Sequence, residues 1–271
     1  MSARDKASET TRGKWGDLQA RILSALVMLA VGLFGLWRGG EIFHVLVSFV
    51  CAGMIWELTR MMPSNRPSWP LQMGLLVILA FISLLFVPAA FFMPIVLAPA
   101  LVGASGLSKD RIRFIAYAVG LLLACFGLIA LREFRGLEWV LWLIFVVVAT
   151  DVAGYFAGKV IGGPKFWPSL SPKKTWAGTS AGWVAAFVVG LAFGNLWLGL
   201  ASMAVSFASQ LGDISESAIK RRAGVKDSSN LIPGHGGLLD RFDGLMAAAL
   251  MVLILMSSFG ASSEFFGMAA Q

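Results

Sequence analysis

Charge is scarce in this chain. Only 14% of its 271 residues are Asp, Glu, Lys or Arg while 58% are hydrophobic, a shortage that excludes an ordinary soluble domain. Cysteine is rarer still: Cys51 and Cys125 each lie inside an apolar run, which rules out a disulfide framework or a thiolate metal cluster and leaves them as small apolar filler. The residue alternation of a membrane strand is also missing, so a β-barrel is excluded as a way of crossing lipid. No small-residue cleavage site follows the first apolar run. Residues 1–21, polar and mixed in charge, therefore read as a mobile cytosolic tail rather than a signal peptide.

What the chain has in abundance is long apolar runs, with a mean hydropathy of +0.78. A hydrocarbon core about 30 Å thick needs roughly 20 apolar residues per helix. Runs of that order lie near 22–37, 42–59, 71–87, 89–105, 112–131, 138–158, 176–193, 195–215 and 244–260. The expected fold is all-α, a polytopic membrane bundle of about nine transmembrane helices; only "VPAA" parts the third and fourth runs, so eight spans are the alternative. Lysine and arginine favour the cytoplasmic side of short flanking loops. With nine spans and the N-terminus cytoplasmic, nineteen of the 22 Lys and Arg fall inside and only Arg38, Arg132 and Arg135 outside. The net charge of +7 is then a matter of topology and not of nucleic-acid binding, although a basic inner face also attracts anionic headgroups and nucleotide phosphates.

The first half offers little chemistry, and His44 with Glu41 reads as an interfacial pair. From about residue 150 polar residues gather on the inner side in three segments. The first, "TDVAGYFAGKVIGGPKFWPSLSPKKTWAGT", begins with Asp151 inside an apolar run. A carboxylate at a helix centre in lipid costs roughly 2.5–3.5 kcal/mol, so it faces a polar cavity, a cation or a partner. Gly154, Gly158 and Gly162 at four-residue spacing read as close helix contact. Ser171 reads as a helix N-cap with Pro172 in the first turn, which puts Lys173, Lys174 and Thr175 at the positive end of a helix, where an anion binds. A positive-inside anchor explains the two lysines equally well.

In the second segment, "SQLGDISESAIKRR", Asp213, Glu216, Ser217 and Lys220 share one helix face. Two carboxylates at the end of a span suggest a divalent cation, and oxygen ligands without cysteine point to Mg²⁺ rather than zinc. An ion pair of Glu216 with Lys220 is the plainer explanation. In the third, "PGHGGLLDRFDG", Gly234, Gly236 and Gly237 permit a tight turn of the kind that phosphate nests use. Asp240 and Asp243 follow one turn apart, beside Arg241 and after His235. No covalent nucleophile is evident, since Ser217 lacks a base. Carboxylates for a cation and basic groups for phosphates, together at one membrane surface, imply phosphoryl or nucleotidyl transfer to or from a lipid.

The run "SAIKRRAGVKDSSNLIPGHGGLLDRFD", Ser217 to Asp243, resembles the signature of the CDP-diacylglycerol synthases (phosphatidate cytidylyltransferases) along its full length. Ser217, Lys220, Arg221, Lys226, Asp227, Pro233, His235, Gly236, Gly237, Asp240, Arg241 and Asp243 stand where that pattern has them. "DVAGYFAGKVIGG", "SPKKTWAG" and "SQLGDISES" occur in the family's order, so the resemblance covers roughly residues 150–243. Ala177 departs from it, standing where an acidic or amide residue is expected.

The resemblance implies an enzyme that condenses phosphatidate with CTP, using Mg²⁺, to give CDP-diacylglycerol and pyrophosphate, with the lipid phosphate itself as nucleophile. It divides the chain into the tail 1–21, an N-terminal transmembrane bundle 22–137, and a catalytic region 138–271 with its loops on the cytoplasmic face. Asp213 and Asp240 become the metal-holding pair, with a second cation in the arrangement that in-line displacements favour. Asp151, Glu216 and Asp243 become further ligating or orienting groups. Lys226 and His235 join the catalytic set, while Ser171, Lys173, Lys174, Thr175, Ser217, Lys220, Arg221, Gly236, Gly237 and Arg241 fall to the nucleotide and lipid phosphates. A homodimer is implied by resemblance only, and the compact chain suggests a bacterial inner membrane. A transporter would instead place carboxylates near the bilayer midplane and show repeat symmetry. A lipid kinase shares nucleotide, cation and lipid, and is told apart by its product.

Overall fold

The computed structural model of the protein describes residues 3–64, 66–168 and 170–259. Each apolar run forms one helix: α1 (Ala3–Arg38), α2 (Gly40–Met61), α3 (Trp69–Ser83), α4 (Phe92–Ser105), α5 (Arg111–Arg135), α6 (Leu137–Val160), α7 (Trp176–Phe193), α8 (Leu196–Arg222) and α9 (Leu239–Phe259). Among the described residues the architecture is all-α apart from one small hairpin, β1 (Lys165–Trp167) and β2 (Ser171–Thr175), paired antiparallel with Lys165 opposite Thr175. Among the described residues, five helical stretches are long and apolar enough to cross a membrane: Arg21–Arg38 of α1, and helices α2, α5, α6 and α7. Helices α3 and α4, with 15 and 14 residues, fall short of the roughly 20 that a bilayer asks. Helix α8 is long but ends in the charged stretch "DISESAIKRR", and α9 begins with "LDRFD".

Glycine turns mark several reversals. Gly39 and Gly40 separate α1 from α2 at φ +62° and +50°, and Gly136 separates α5 from α6 at φ +90°, a region that side chains with a Cβ resist. Packing joins two groups of helices. In the first, α2 packs on α3 and α5, and α4 on α5; in the second, α7 lies between α6 and α8. Helix α9 bridges them by packing on both α5 and α8. Met54, Leu58, Phe81, Phe114, Leu122 and Trp142 are fully buried in the core. Between α6 and α7 the helices touch through glycine, because a Cβ on Gly178 would stand 2.6 Å from the carbonyl oxygen of Gly154. That is the close contact expected of Gly154 and Gly158. Gly162, expected with them, lies past the end of α6 at φ +66°, and a Cβ there would meet nothing within 4 Å.

His44 turns away from the interfacial role expected beside Glu41. It is buried, and its Nε2 donates to the Phe81 carbonyl at 2.8 Å, which fixes α3 to α2 near the start of α2. The two ends of the bundle differ in chemistry. At one end Arg132 of α5 donates to the Leu36 carbonyl at the end of α1. At the other, Ser108 N bonds to the Pro63 carbonyl and Arg222 pairs with Asp110 at 2.9 Å. The three polar segments meet at this second end.

Candidate active site

The site is assembled from α8, α9, the hairpin and the loop between α8 and α9. Helix α8 presents Asp213, Glu216 and Lys220, and α9 brings up Asp240 and Asp243 in its first turns. Gly212 makes the approach possible: a Cβ there would lie 2.5 Å from the Asp243 carbonyl oxygen and 2.6 Å from the Ala247 Cβ. As a result Asp213, Glu216 and Asp243 can each place a carboxylate oxygen within 4.8 Å of the others.

Three carboxylates so close repel one another and lose hydration. Burial first, with the Lys220 ammonium opposing it, pushes the Glu216 carboxyl up to about 8. Burial and then the neighbouring Asp213 charge push Asp243 up to about 7. Both values are far above the ordinary carboxylate range. Glu216 Oε2 meets Lys220 Nζ at 2.6 Å. Its Oε1, though buried, has no hydrogen-bond partner. An unpartnered buried acceptor and an all-oxygen donor set fit a hard divalent ion.

Asp240 stands apart from that cluster in its bonding. Its Oδ1 accepts from Lys220 Nζ at 2.6 Å, and its Oδ2 accepts from Ser228 N, Ser228 Oγ and Gly237 N at 2.8–2.9 Å. Burial opposes the charge, but the Lys220 ammonium, the neighbouring Glu216 carboxyl and the Gly237 and Ser228 amides outweigh it and hold the carboxyl down at about 2. Lys220 therefore stands between the two carboxylate systems, bonded to Glu216 on one side and Asp240 on the other.

The loop before α9 wraps around carboxylates of the protein itself. Glu57, fully buried on α2, accepts from Ser229 Oγ and Leu238 N through Oε1 and from Leu239 N through Oε2, and its Oε2 shares the single Ser228 hydroxyl proton with Asp240 Oδ2. Gly237 passes so near that a Cβ would lie 2.0 Å from Ser228 Oγ and 2.4 Å from Glu57 Oε1. The Gly236–Gly237 turn, expected as an open phosphate nest, thus directs the Gly237 N–H to Asp240 and the next two amides to Glu57. Glu57 escaped the sequence analysis, although "WELTR" shows one acid in an apolar run, the same signal that singled out Asp151.

His235 faces α1, with Nδ1 2.8 Å from Ser24 Oγ, and its carbonyl accepts from Arg241 Nε at 2.9 Å and from Arg241 Nη2. Arg221, Lys226 and Arg241 are exposed around this loop, and Ser217 is half-buried on α8.

The hairpin corrects one expectation. Ser171 is no helix cap: residues 171–175 form β2, and α7 begins at Trp176 with Thr175 as its N-cap, the Thr175 hydroxyl accepting from Gly178 N at 3.2 Å. Pairing with β1 holds the segment extended to Thr175, four residues beyond the predicted cap. Lys173 and Lys174 therefore sit on a strand, where successive side chains face opposite ways. Lys173 is exposed. Lys174 reaches α8, meeting Asp213 Oδ2 at 2.6 Å and the Gln210 carbonyl at 3.2 Å. A cavity of about 340 Å³ opens beside this bridge, lined among others by Asp151, Lys159, Lys173, Lys174, Thr175 and Gln210. It adjoins the carboxylate cluster through the Lys174–Asp213 pair.

Fold and site together define a membrane-embedded helical protein with a carboxylate and ammonium centre at one end of its bundle. Comparison with known proteins gives the class a family. A model of the cytidylyltransferase family matches residues 19–259, and the chain belongs to that family. It is 34% identical over 266 residues to the phosphatidate cytidylyltransferase of Brucella suis, covering 90% of this chain and 94% of the relative. Over 267 residues it is 32% identical to that of Bacillus subtilis, covering 90% and 99%, and over 261 residues it is 31% identical to that of Staphylococcus aureus, covering 88% and 99%.

Proposed function

We infer that this chain transfers the cytidylyl group of CTP to phosphatidate, giving CDP-diacylglycerol and pyrophosphate. The observation that carries this conclusion is the convergence of Asp213, Glu216 and Asp243 beside Lys174, in a chain that aligns over nine-tenths of its length with phosphatidate cytidylyltransferases. Asp213, Glu216 and Asp243 are the residues that would hold Mg²⁺, whose bound charge would neutralise nucleotide phosphates. Asp240, first paired with Asp213 as a ligand, is better assigned to the loop, since both its oxygens are already engaged by Lys220, Ser228 and Gly237.

The protein's own groups account for the rest. Lys174 exchanges Asp213 for a phosphate oxygen of CTP, with Lys159 and Lys173 lining the same cavity. The phosphate oxygen of phosphatidate then attacks the α-phosphorus of CTP in line. A bond forms between them, and the bond from the α-phosphorus to the bridging oxygen of pyrophosphate breaks. No enzyme nucleophile is required, which accords with the want of a base for Ser217. Lys220 keeps Glu216 and Asp240 in register, and Arg221, Lys226 and Arg241 supply charge at the rim.

For topology we propose nine crossings with the N-terminus and the site on the cytoplasmic side of a bacterial plasma membrane. The placement of nineteen of the 22 Lys and Arg supports the orientation, and relatives from bacteria support the choice of membrane.

The test is an assay of the detergent-purified chain with phosphatidate, CTP and Mg²⁺, scoring lipid-linked cytidine together with released pyrophosphate. Both products should form, vanish with EDTA, and fall by roughly a hundredfold or more in Asp213→Asn and Asp243→Asn. A phosphorylated lipid with CDP as the second product would overturn the assignment in favour of a kinase.

A further inference from the structure

A second cavity lies inside the apolar part of the molecule, between α1 and the rest of the bundle. It has a volume of about 440 Å³, and every side chain on its wall, from Val27 and Leu33 of α1 to Val47 of α2, Leu128 of α5 and Ile144 of α6, is apolar. Its position relative to the site decides what it is for. Leu238 and Phe242 of the loop and α9 also line it. Leu238 directly follows Gly237, and Phe242 stands between Arg241 and Asp243. The wall of the cavity and the polar site are thus adjacent residues of one segment. Leu238 is fixed there, since its N–H donates to Glu57 and its side chain fills the space over Gly53 of α2.

Helix α1 forms the outer wall and is loosely held. Only 11% of its membrane-length window is buried, against 61% for α2. At the level of the site α1 is tied to the loop, with Ser24 Oγ 3.0 Å from the Pro233 carbonyl and 2.8 Å from His235 Nδ1. An apolar slot, walled by a peripheral helix and opening beside the basic and acidic groups that handle phosphate, has the amphipathic layout of a phospholipid.

We propose that this cavity binds the acyl chains of phosphatidate, with the lipid phosphate reaching the site past Leu238 and Phe242. The proposal rests on the cytidylyltransferase assignment for its choice of lipid. Its energetic basis is close packing of chain methylenes against the wall of the slot, since the lipid tails are as apolar as the slot itself, which makes it sensitive to filling the slot.

Gly32 of α1 supplies the probe: it lines the cavity, and a Cβ built there meets no heavy atom within 4 Å. Gly32→Phe and Gly32→Leu therefore extend a side chain from a Cβ that meets no neighbour, at a position on the slot wall. In mixed micelles with CTP and Mg²⁺, kcat/KM for dioleoyl phosphatidate should fall on the order of tenfold in Gly32→Phe, and less in Gly32→Leu, as packed chain methylenes lose their contacts with the slot wall. Turnover of dihexanoyl phosphatidate should change by less than about twofold, because its chains are too short to need the slot. Leu79→Phe, on the exposed face of α3, should alter neither substrate. Equal losses for both chain lengths, or none for either, would overturn the proposal.

Photolabelling the wild-type chain with a phosphatidate carrying an alkyl diazirine near the chain end separates this from the reaction. Label on α1 and α9 peptides that is competed by dioleoyl phosphatidate supports the slot. Label confined to α3, α4 or α7 overturns it. A chain that labels in the slot yet forms no lipid-linked cytidine would keep the slot and lose the cytidylyltransferase assignment.

Discussion

Glu57 leaves no room for an amide. Each of its oxygens accepts one backbone N–H, so a glutamine would turn its NH₂ toward a backbone donor whichever way it is placed. Glu57→Gln should leave at least one buried N–H unsatisfied at about 1–3 kcal/mol. Thermal unfolding should show that loss, along with weaker turnover as the loop before α9 loosens; an unchanged unfolding midpoint would show that the loop is held by something else. Asp240 and Asp243, three residues apart, should fail differently. Asp243→Asn removes a member of the three-carboxylate cluster and should raise the Mg²⁺ concentration needed for activity. Asp240→Asn leaves that cluster whole but deprives Lys220 of a partner, and should reduce stability and kcat with little change in Mg²⁺ dependence. Titrating activity against Mg²⁺ in both variants checks the distinction. The sequence marked both aspartates as functional and gave the metal to Asp240 with Asp243 as a further group; the opposite division that we propose depends on Ser228, Gly237 and Lys220 converging from a loop and another helix. Glu57 was missed for a related reason: its partners lie more than 170 residues away, and nothing local to "WELTR" reveals them.

At the scale of elements, Gly212 is the residue that sets the distance between α8 and α9. Its Cβ would meet backbone, the Asp243 carbonyl, at 2.5 Å, and backbone cannot swing aside as a side-chain tip can. Gly212→Ala should force the helices apart and cost about 1–3 kcal/mol, despite the gain in helix propensity. Because the same step separates Asp213 from Asp243, activity should fall further than the stability loss explains. Comparing turnover at a temperature where both proteins remain folded is the check. Helices were the legible part of this fold, since among the described residues each of the nine apolar runs corresponds to one helix; the largest boundary error is at α1, which begins at Ala3, so that the stretch expected as a mobile tail continues the first helix. The hairpin was not legible. "SPKKTW" carries the residues of a helix start, and only pairing of β2 with β1 keeps it extended until Thr175 takes the cap. Thr175→Val, which keeps the branched shape but removes the hydroxyl acceptor, should cost about 1 kcal/mol in unfolding measurements.

For the molecule as a whole, the raised carboxyls tie stability to pH and to divalent cations together. Glu216 at about 8 and Asp243 at about 7 lie above the value of about 4 that such groups have in an unfolded chain. Between those limits the folded, cation-free protein binds more protons than the unfolded one, so its stability falls as pH rises, the fall ending above the folded values. Asp240, held down at about 2, acts in the opposite sense, but its contribution is lost only in acid and leaves the neutral range untouched. A divalent cation at the cluster reverses the balance by binding the ionised carboxylates, and so must release protons as it binds. In EDTA the unfolding temperature should therefore decline from about pH 6 to about pH 8.5, and millimolar Mg²⁺ should remove most of that decline. Stabilisation by Mg²⁺ that grows with pH, and disappears in Asp243→Asn, would locate the cation among these carboxylates without recourse to activity. An EDTA profile flat across that range would mean that the three acids are compensated by the protein itself, and would send the search for the cation elsewhere in the site.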